Sequence, residues 1–262
     1  MPNFTITKVT AENIDALGLF CVKNRKHAGH VAKSSWLREH LEEGIRLRML
    51  VTGDGKQAGF IEYAPAEGSW RVLDAPGYLV IHCLWVSSKG FTSRGMATAL
   101  LEESVRDAKA NGSRGVAVVT SDGPWMADRR VFVKSGFEIV DETEPYYQLL
   151  ANQLRDGPRP SFPSDLTERI GAPGGLRLLY ANQCPYVGKA VAELPDVARR
   201  FGTRLGLVEM KDASEARATM PSPYGVFALV YNGRLLADHP ISATRFRNIL
   251  SRDLGLREKD TD

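Results

Sequence analysis

Apolar and polar positions change rhythm many times along this chain of 262 residues. Alternating or near-continuous apolar runs predict strands at 5–9, 48–52, 57–64, 78–86, 115–120 and 138–141. Apolar residues at helical spacing predict helices at 14–19, 36–43, 97–110 and 131–135. The rhythm then stops. The stretch DGPRPSFPSD at 156–165 holds three prolines and a glycine, and GAPGG follows at 171–175. Proline fixes φ and removes a donor, so neither stretch suits a helix interior or a central strand. Beyond them the pattern predicts strands at 176–180, 206–209, 226–231 and 234–236, and helices at 187–201, 213–219 and 243–254. Both halves mix strands and helices, which gives an α/β (α+β) chain. The expected division is a first domain over 1–154, a linker over 155–175, a smaller α/β domain over 176–255 and a polar, frayed tail over 256–262.

Composition narrows the picture modestly. At 43% apolar and 25% charged, the chain reads as an ordinary soluble protein. No apolar run reaches membrane-spanning length, and the N-terminus lacks the apolar core of a signal peptide. The expected location is the cytosol. A net charge of +3 comes from scattered basic residues, which argues against nucleic-acid binding and suits a small anionic ligand. Three cysteines, Cys21, Cys83 and Cys184, make neither a disulfide framework nor a zinc-binding spacing, so no metal is expected.

One transition carries chemistry. The run YLVIHCLWV at 78–86 suits a strand buried on both faces, and a polar loop leads from it to Gly95-Met96-Ala97 and an amphipathic helix. The first N–H groups of a helix lack internal partners and sit at the positive end of its dipole. Small residues there let an anion approach the backbone, and Lys89 and Arg94 add charge. A phosphate site and an ordinary strand–loop–helix connection fit these residues equally well.

The run CLWVSSKGFTSRGMATALLEE resembles motif A of the GNAT acyltransferases, in which a Gln/Arg-x-x-Gly-x-Gly/Ala loop wraps the pyrophosphate of acetyl-CoA. Gly95 and Ala97 match the last two positions of that loop. Thr92 stands where Gln or Arg is usual, and the loop is one residue longer than is common. VFVKSGFEIVDE resembles the end of motif B, and the resemblance covers residues 1–150. It implies a GNAT fold with a mixed central sheet, acetyl-CoA as cosubstrate, and direct transfer of acetyl to a primary amine of a small molecule or peptide. The coenzyme would be held by Leu84, Trp85, Val86, Phe91, Thr92, Ser93, Arg94, Gly95, Met96, Ala97 and Thr98. GNAT domains often pair, so a homodimer is the assembly that the resemblance suggests.

Direct transfer calls for a base and, for the leaving thiolate, an acid. Many GNAT relatives place a tyrosine acid where this chain has Phe132, which carries no proton; Ser135 nearby would be a weak substitute. Glu62 and His82 are the base candidates, each with a structural alternative: a solvent-facing strand residue and a satisfied core histidine. Asp122 is a remote third, and caps the next helix if it is structural. Alternation along the strand puts Cys83 opposite His82, in the core. Trp125 and Met126 read as packing or as pocket walls.

In the second half, a strand runs into Asn-Gln-Cys-Pro-Tyr-Val at 182–187, with a helix after Cys184. A thiolate at a helix N-terminus is stabilised and is the nucleophilic form, and Pro185 suits the first helical position. The segment resembles the Cys-Pro-Tyr-Cys site of glutaredoxins with Val187 in place of the second cysteine. The resemblance implies a thioredoxin-like module in which Pro221 or Pro223 is a cis proline facing the thiol, followed by a hairpin at Asn232-Gly233. Together the halves resemble the YoaP-like bacterial acyltransferases. Catalytic candidates are therefore Glu62, His82 and Cys184. The other readings are a monothiol redox or metalloid sensor that uses Cys184 with acyl-CoA as a regulatory ligand, and a non-catalytic acyl-CoA-binding regulator.

Overall fold

The structure is a computed structural model that describes residues 4–87, 95–123, 125–171 and 174–259. Its larger sheet has the order β1-β2-β3-β4-β5-β7-β6. The strands are β1 (Phe4–Lys8), β2 (Arg46–Thr52), β3 (Gln57–Pro65), β4 (Tyr78–Val86), β5 (Gly115–Ser121), β6 (Glu138–Thr143) and β7 (Tyr147–Gln153). The first four form an antiparallel meander. β4 and β5 are parallel, joined through helix α3 (Met96–Ala110), and this is the one parallel pair of the sheet. The helices of this half are completed by α1 (Ile14–Leu17), α2 (Ala28–His40) and α4 (Arg129–Val133). α3 turns Met96, Leu100, Leu101, Ser104 and Ala108 into the sheet, a stripe at helical spacing. Asp107 at its far end accepts from Arg48 (2.7 Å), Arg46 (3.2 Å) and the Tyr63 hydroxyl (2.6 Å), which ties α3 to β2 and β3.

Two elements of this half differ from the sequence expectation. α2 begins at Ala28, eight residues before the predicted start, because its first turns carry glycine, serine and histidine in place of an apolar stripe. β7 was not foreseen. It slots antiparallel between β5 and β6, and its Leu149 and Leu150 are both fully buried, so it lacks the alternation of a half-exposed strand.

The second sheet has the order β11-β10-β8-β9. β8 (Arg177–Tyr180) runs parallel to β9 (Gly206–Glu209) through α5 (Pro185–Arg200). After α6 (Ala213–Thr219), β10 (Phe227–Tyr231) pairs antiparallel with β8 and turns into β11 (Arg234–Ala237). The turn is Asn232-Gly233 with φ of 47° and 73°, as a tight hairpin of matching twist demands. The predicted last helix is α7 (Ala243–Asn248) continued by a wider π-helical turn, Ile249–Asp253.

The two sheets share one apolar core, which runs from Trp36, Met49 and Trp70 to Leu178, Val187 and Phe227. A separate cluster under α3 and α4 covers the opposite face of the large sheet. Two glycines allow the close approach. A Cβ on Gly29 of α2 would sit 1.8 Å from the Pro185 carbonyl oxygen at the start of α5. A Cβ on Gly225, whose φ is +75°, would sit 1.9 Å from the Trp70 carbonyl oxygen. The proline-rich connection is pinned as well: Asp74 and Ser161 exchange backbone hydrogen bonds of 2.8 and 2.9 Å.

Candidate active site

β4 and β5 pair only from Tyr78↔Gly115 to Ile81↔Val118, and then part. A cavity of 380 Å³ fills the parting. Its floor is Ile81 to Trp85 of β4 with Val118 and Val119 of β5, and β3 and α2 contribute Glu62 and Lys33. The second half closes it with Gln183, Cys184, Pro185, Tyr186 and Tyr224. At the rim Trp125 meets Tyr186 across the two halves, with ring centroids 4.8 Å apart.

A β-bulge shapes the floor. Glu62 lies opposite Cys83 and Tyr63 opposite Ile81, so His82 is the extra residue on β4. A bulge re-aims the side chains beside it. Both His82 and Cys83 therefore line the cavity, which corrects the expectation that alternation sends Cys83 into the core on the opposite face.

Glu62 is the hub of a buried network. Its Oε2 accepts from Lys33 Nζ at 2.5 Å, and its Oε1 accepts from Gln183 Nε2 at 2.7 Å and lies 3.3 Å from His82 Nδ1. The Trp70 backbone N–H donates to His82 Nε2 at 3.2 Å, so Nε2 is an acceptor and Nδ1 carries the proton toward Glu62. Burial acts to raise the Glu62 pKa; the Lys33 charge and the bonds from His82 and Lys33 overcome it and hold the carboxyl at about 2. Burial lowers the His82 pKa against the pull of Glu62. Neither group is a free base near neutrality: Glu62 is a stabilised anion, and the Nε2 lone pair of His82 is taken.

Arg71, 4% exposed, spans the two halves and donates to the carbonyls of Tyr224 and His82. Its guanidinium lies 4.6 Å from the Tyr224 ring centroid. All three cysteines of the chain face the cavity. Desolvation, reinforced by Cys184 and Glu62, pushes the Cys83 thiol up to about 12, and desolvation with the other two cysteines raises Cys21 well above its usual range. Among the described residues no group of three or more His, Cys, Asp or Glu side chains is placed to hold a metal ion.

The structure brings Glu62, His82 and Cys184 together, with Leu84 and Trp85 beside them, and Trp125 and Met126 as further walls. Val86 is half-buried at the end of β4. Gly95 precedes α3 with φ 71° and, among the described residues, nothing within 4 Å of a would-be Cβ; Met96 (buried), Ala97 and Thr98 follow. Phe91, Thr92, Ser93, Arg94 and Lys89 lie outside the described residues. Phe132 is 1% exposed, a cavity wall packed on Phe137. Asp122 is exposed and does not cap α4: that cap is Asp128, whose side chain accepts from Arg130 N at 2.9 Å. Neither Pro221 nor Pro223 follows a cis bond; the cis peptide among the described residues precedes Pro145. The 221–225 segment turns instead through a Gly225 N to Ser222 O bond of 3.1 Å and lies against Val72, whose N–H donates to Pro223.

Sequence reasoning missed Lys33, Arg71, Gln183 and Tyr224. Lys33 had a signal, a lone lysine on a helix face with Leu37 and His40, but that helix was begun too late to include it. The others are fixed by the contact between the halves, which no local pattern encodes.

Residues 205–248 match a family model described as YoaP-like. The chain is 28% identical over 251 residues to the protein of Bacillus subtilis (strain 168) named uncharacterized N-acetyltransferase YoaP, covering 93% of this chain and 97% of that one. Solved structures similar to part of the chain include a GNAT-family acetyltransferase of Staphylococcus aureus MU50, with 13% identity, 58% of this chain and 99% of that chain covered, and a TM-score of 0.43. Another is a GNAT-family acetyltransferase of Elizabethkingia anophelis with acetyl-CoA bound, with 19% identity, 58% and 99% covered, and a TM-score of 0.40. No helix among the described residues is long and apolar enough to cross a membrane.

Proposed function

We propose that the chain is an acetyl-CoA-dependent N-acetyltransferase whose acceptor is a primary amine of a small molecule. The observation that carries this reading is the cavity in the parting of β4 and β5, next in sequence to a helix whose first N–H groups have no intrahelical partner. The name of the Bacillus subtilis relative points the same way. The residues present fit the cosubstrate. The first-turn N–H groups of α3 at Met96, Ala97 and Thr98 have no intrahelical partner and would take the pyrophosphate, and among the described residues nothing lies within 4 Å of a Cβ on Gly95. The end of β4, Leu84 to Val86, would offer main-chain groups to the pantetheine arm.

The second half sets the size of the acceptor. Gln183 to Tyr186 and Tyr224 wall one side of the cavity, so the reacting amine enters a space of small-ligand scale. Glu62 acts there as a fixed negative charge that orients Lys33, Gln183 and His82.

The test uses the full chain with acetyl-CoA, a panel of small primary amines and a lysine-bearing peptide, with acetylated product read by mass spectrometry. Acetylation of small amines with little on the peptide is the expected result. Acetylation of the peptide alone would overturn the assignment of the acceptor, and no product with any amine would overturn the reading itself.

A further inference from the structure

The cavity holds a nucleophile that direct transfer does not use. Cys184 is the N-cap of the 16-residue helix α5, and its side chain makes no capping bond. Its thiol faces the same cavity as the splayed ends of β4 and β5, where the proposed thioester would lie. Attack on a thioester, by an amine or by a thiol, releases a proton that some group, or the departing sulfur, must take. Glu62 is tied to three donors, the His82 Nε2 lone pair is taken by Trp70, and Phe132 carries no proton. The cavity is equipped differently. Lys33 and Arg71 against Glu62 leave one positive charge in excess, which favours an oxyanion or a departing thiolate. Tyr186, at the second position of α5, lines the cavity, and its N–H has no intrahelical partner. A second observation points to a ligand. Gln183 is 4% exposed, its amide nitrogen donates to Glu62, and its Oε1 has no hydrogen-bond partner among the described residues. A buried, unpaired carbonyl oxygen costs free energy until a donor such as an amine N–H reaches it.

We propose that Cys184 is an acyl relay: it takes the acetyl group from acetyl-CoA as a Cys184 thioester and passes it to the amine held by Gln183. This rests on the acetyltransferase reading and replaces its direct step with two. In the first, Cys184 Sγ attacks the thioester carbonyl, the bond to the coenzyme sulfur breaks, and the thiol proton ends on the departing coenzyme A. In the second, the amine nitrogen attacks the Cys184 thioester, the C–Sγ bond breaks, and the proton lost by the amine returns to Sγ. No oxidant or metal is needed. The missing resolving cysteine, Val187 in this chain, is consistent with the task, since a thiol that closes an internal disulfide cannot carry an acyl group.

The test needs no acceptor. Wild-type protein is incubated with acetyl-CoA and isotopically labelled coenzyme A, and label exchange into acetyl-CoA is followed. A parallel sample is acid-quenched and mapped by mass spectrometry. The relay predicts exchange without amine, one acetyl group on the peptide containing Cys184, its release by hydroxylamine, and loss of exchange in Cys184→Ser and Cys184→Ala. No exchange and no adduct, in wild-type protein that acetylates small amines, would overturn the relay and leave the acetyltransferase reading standing. An adduct on Cys21 or Cys83 alone would also overturn it. Wild-type protein that neither exchanges label nor acetylates any amine would sink both readings. Because the adduct is read on wild-type protein, the outcome does not depend on the variants folding.

Discussion

Lys33 and Glu62 form the buried ion pair at the base of the cavity, with side chains 6% and 1% exposed. Replacing Lys33 by Met keeps the length and removes the charge. Glu62 is then a buried carboxylate held only by Gln183 and His82. Its fall from 4.5 to about 2 measures how strongly the folded protein prefers the charged form. At about 1.36 kcal/mol per pKa unit this is roughly 3 kcal/mol, within the 3–5 kcal/mol expected when one partner of a buried pair is removed. The sign follows from the direction of the shift. A depressed carboxylate stabilises the fold in full above its unfolded pKa, and that contribution fades as pH falls from 4.5 toward 2. In Lys33→Met, burial without the ammonium raises the pKa of Glu62, so the variant is penalised most at neutral pH and recovers as Glu62 takes a proton. Urea denaturation at pH 7 and pH 4.5 should therefore show a gap of about 3 kcal/mol at the higher pH and a smaller one at the lower. Adding Glu62→Gln should recover most of the loss at pH 7. A gap below about 1 kcal/mol, or one that does not change with pH, would refute the reasoning.

Other substitutions probe the joint between the halves. Gly225→Ala places a Cβ 1.9 Å from the Trp70 carbonyl oxygen at φ +75°, and should cost about 3 kcal/mol in urea unfolding, from left-handed strain and overpacking together. Asp238, 4% exposed, accepts from the hydroxyls of Tyr146 (2.6 Å) and Tyr147 (2.8 Å), so Asp238→Ala strands two donors and should cost about 3 kcal/mol at pH 7. Burial acts to raise the Asp238 pKa, but His239 and the two tyrosines hold it below 3.8, so this contribution is whole above that pH and the gap to wild type should narrow below it. Cys184→Ser should abolish acceptor-free label exchange while the denaturation midpoint stays near that of wild type.

Much of the architecture is legible in local pattern. The strand at Tyr78–Val86 and the helix starting near Gly95 announce themselves by an unbroken apolar run and a glycine-bearing loop, and the Asn232-Gly233 hairpin by its turn residues. What stays hidden is decided between elements. The bulge at His82 turns Cys83 from a core position into a cavity wall, and nothing in HCLWV signals it. The helix over Ala28–His40 is weakly amphipathic because Gly29 is chosen for close contact with Pro185 rather than for helix formation. Gln183 reads as a neighbour of Cys184 until the two halves meet, when it becomes a ligand of Glu62. Glu62 and His82 were recognisable as chemically special. Their roles as a pinned anion and its donor depend on Lys33 and Trp70, which come from elsewhere in the chain.

On the proposed function, the acetyl-CoA pyrophosphate lies at the start of α3 and its thioester in the cavity between the halves. Calorimetric titration of acetyl-CoA into wild type, Gly95→Ala and Gly95→Glu tests it most directly. No described residue lies within 4 Å of a Cβ on Gly95, so alanine adds chiefly backbone strain at φ +71°, whereas glutamate adds a negative charge where the phosphates would lie. Wild type should bind in the micromolar range, Gly95→Ala should lose modestly, and folded Gly95→Glu should show no measurable binding. Equal binding by wild type and Gly95→Glu, or none by folded wild type, would contradict this placement.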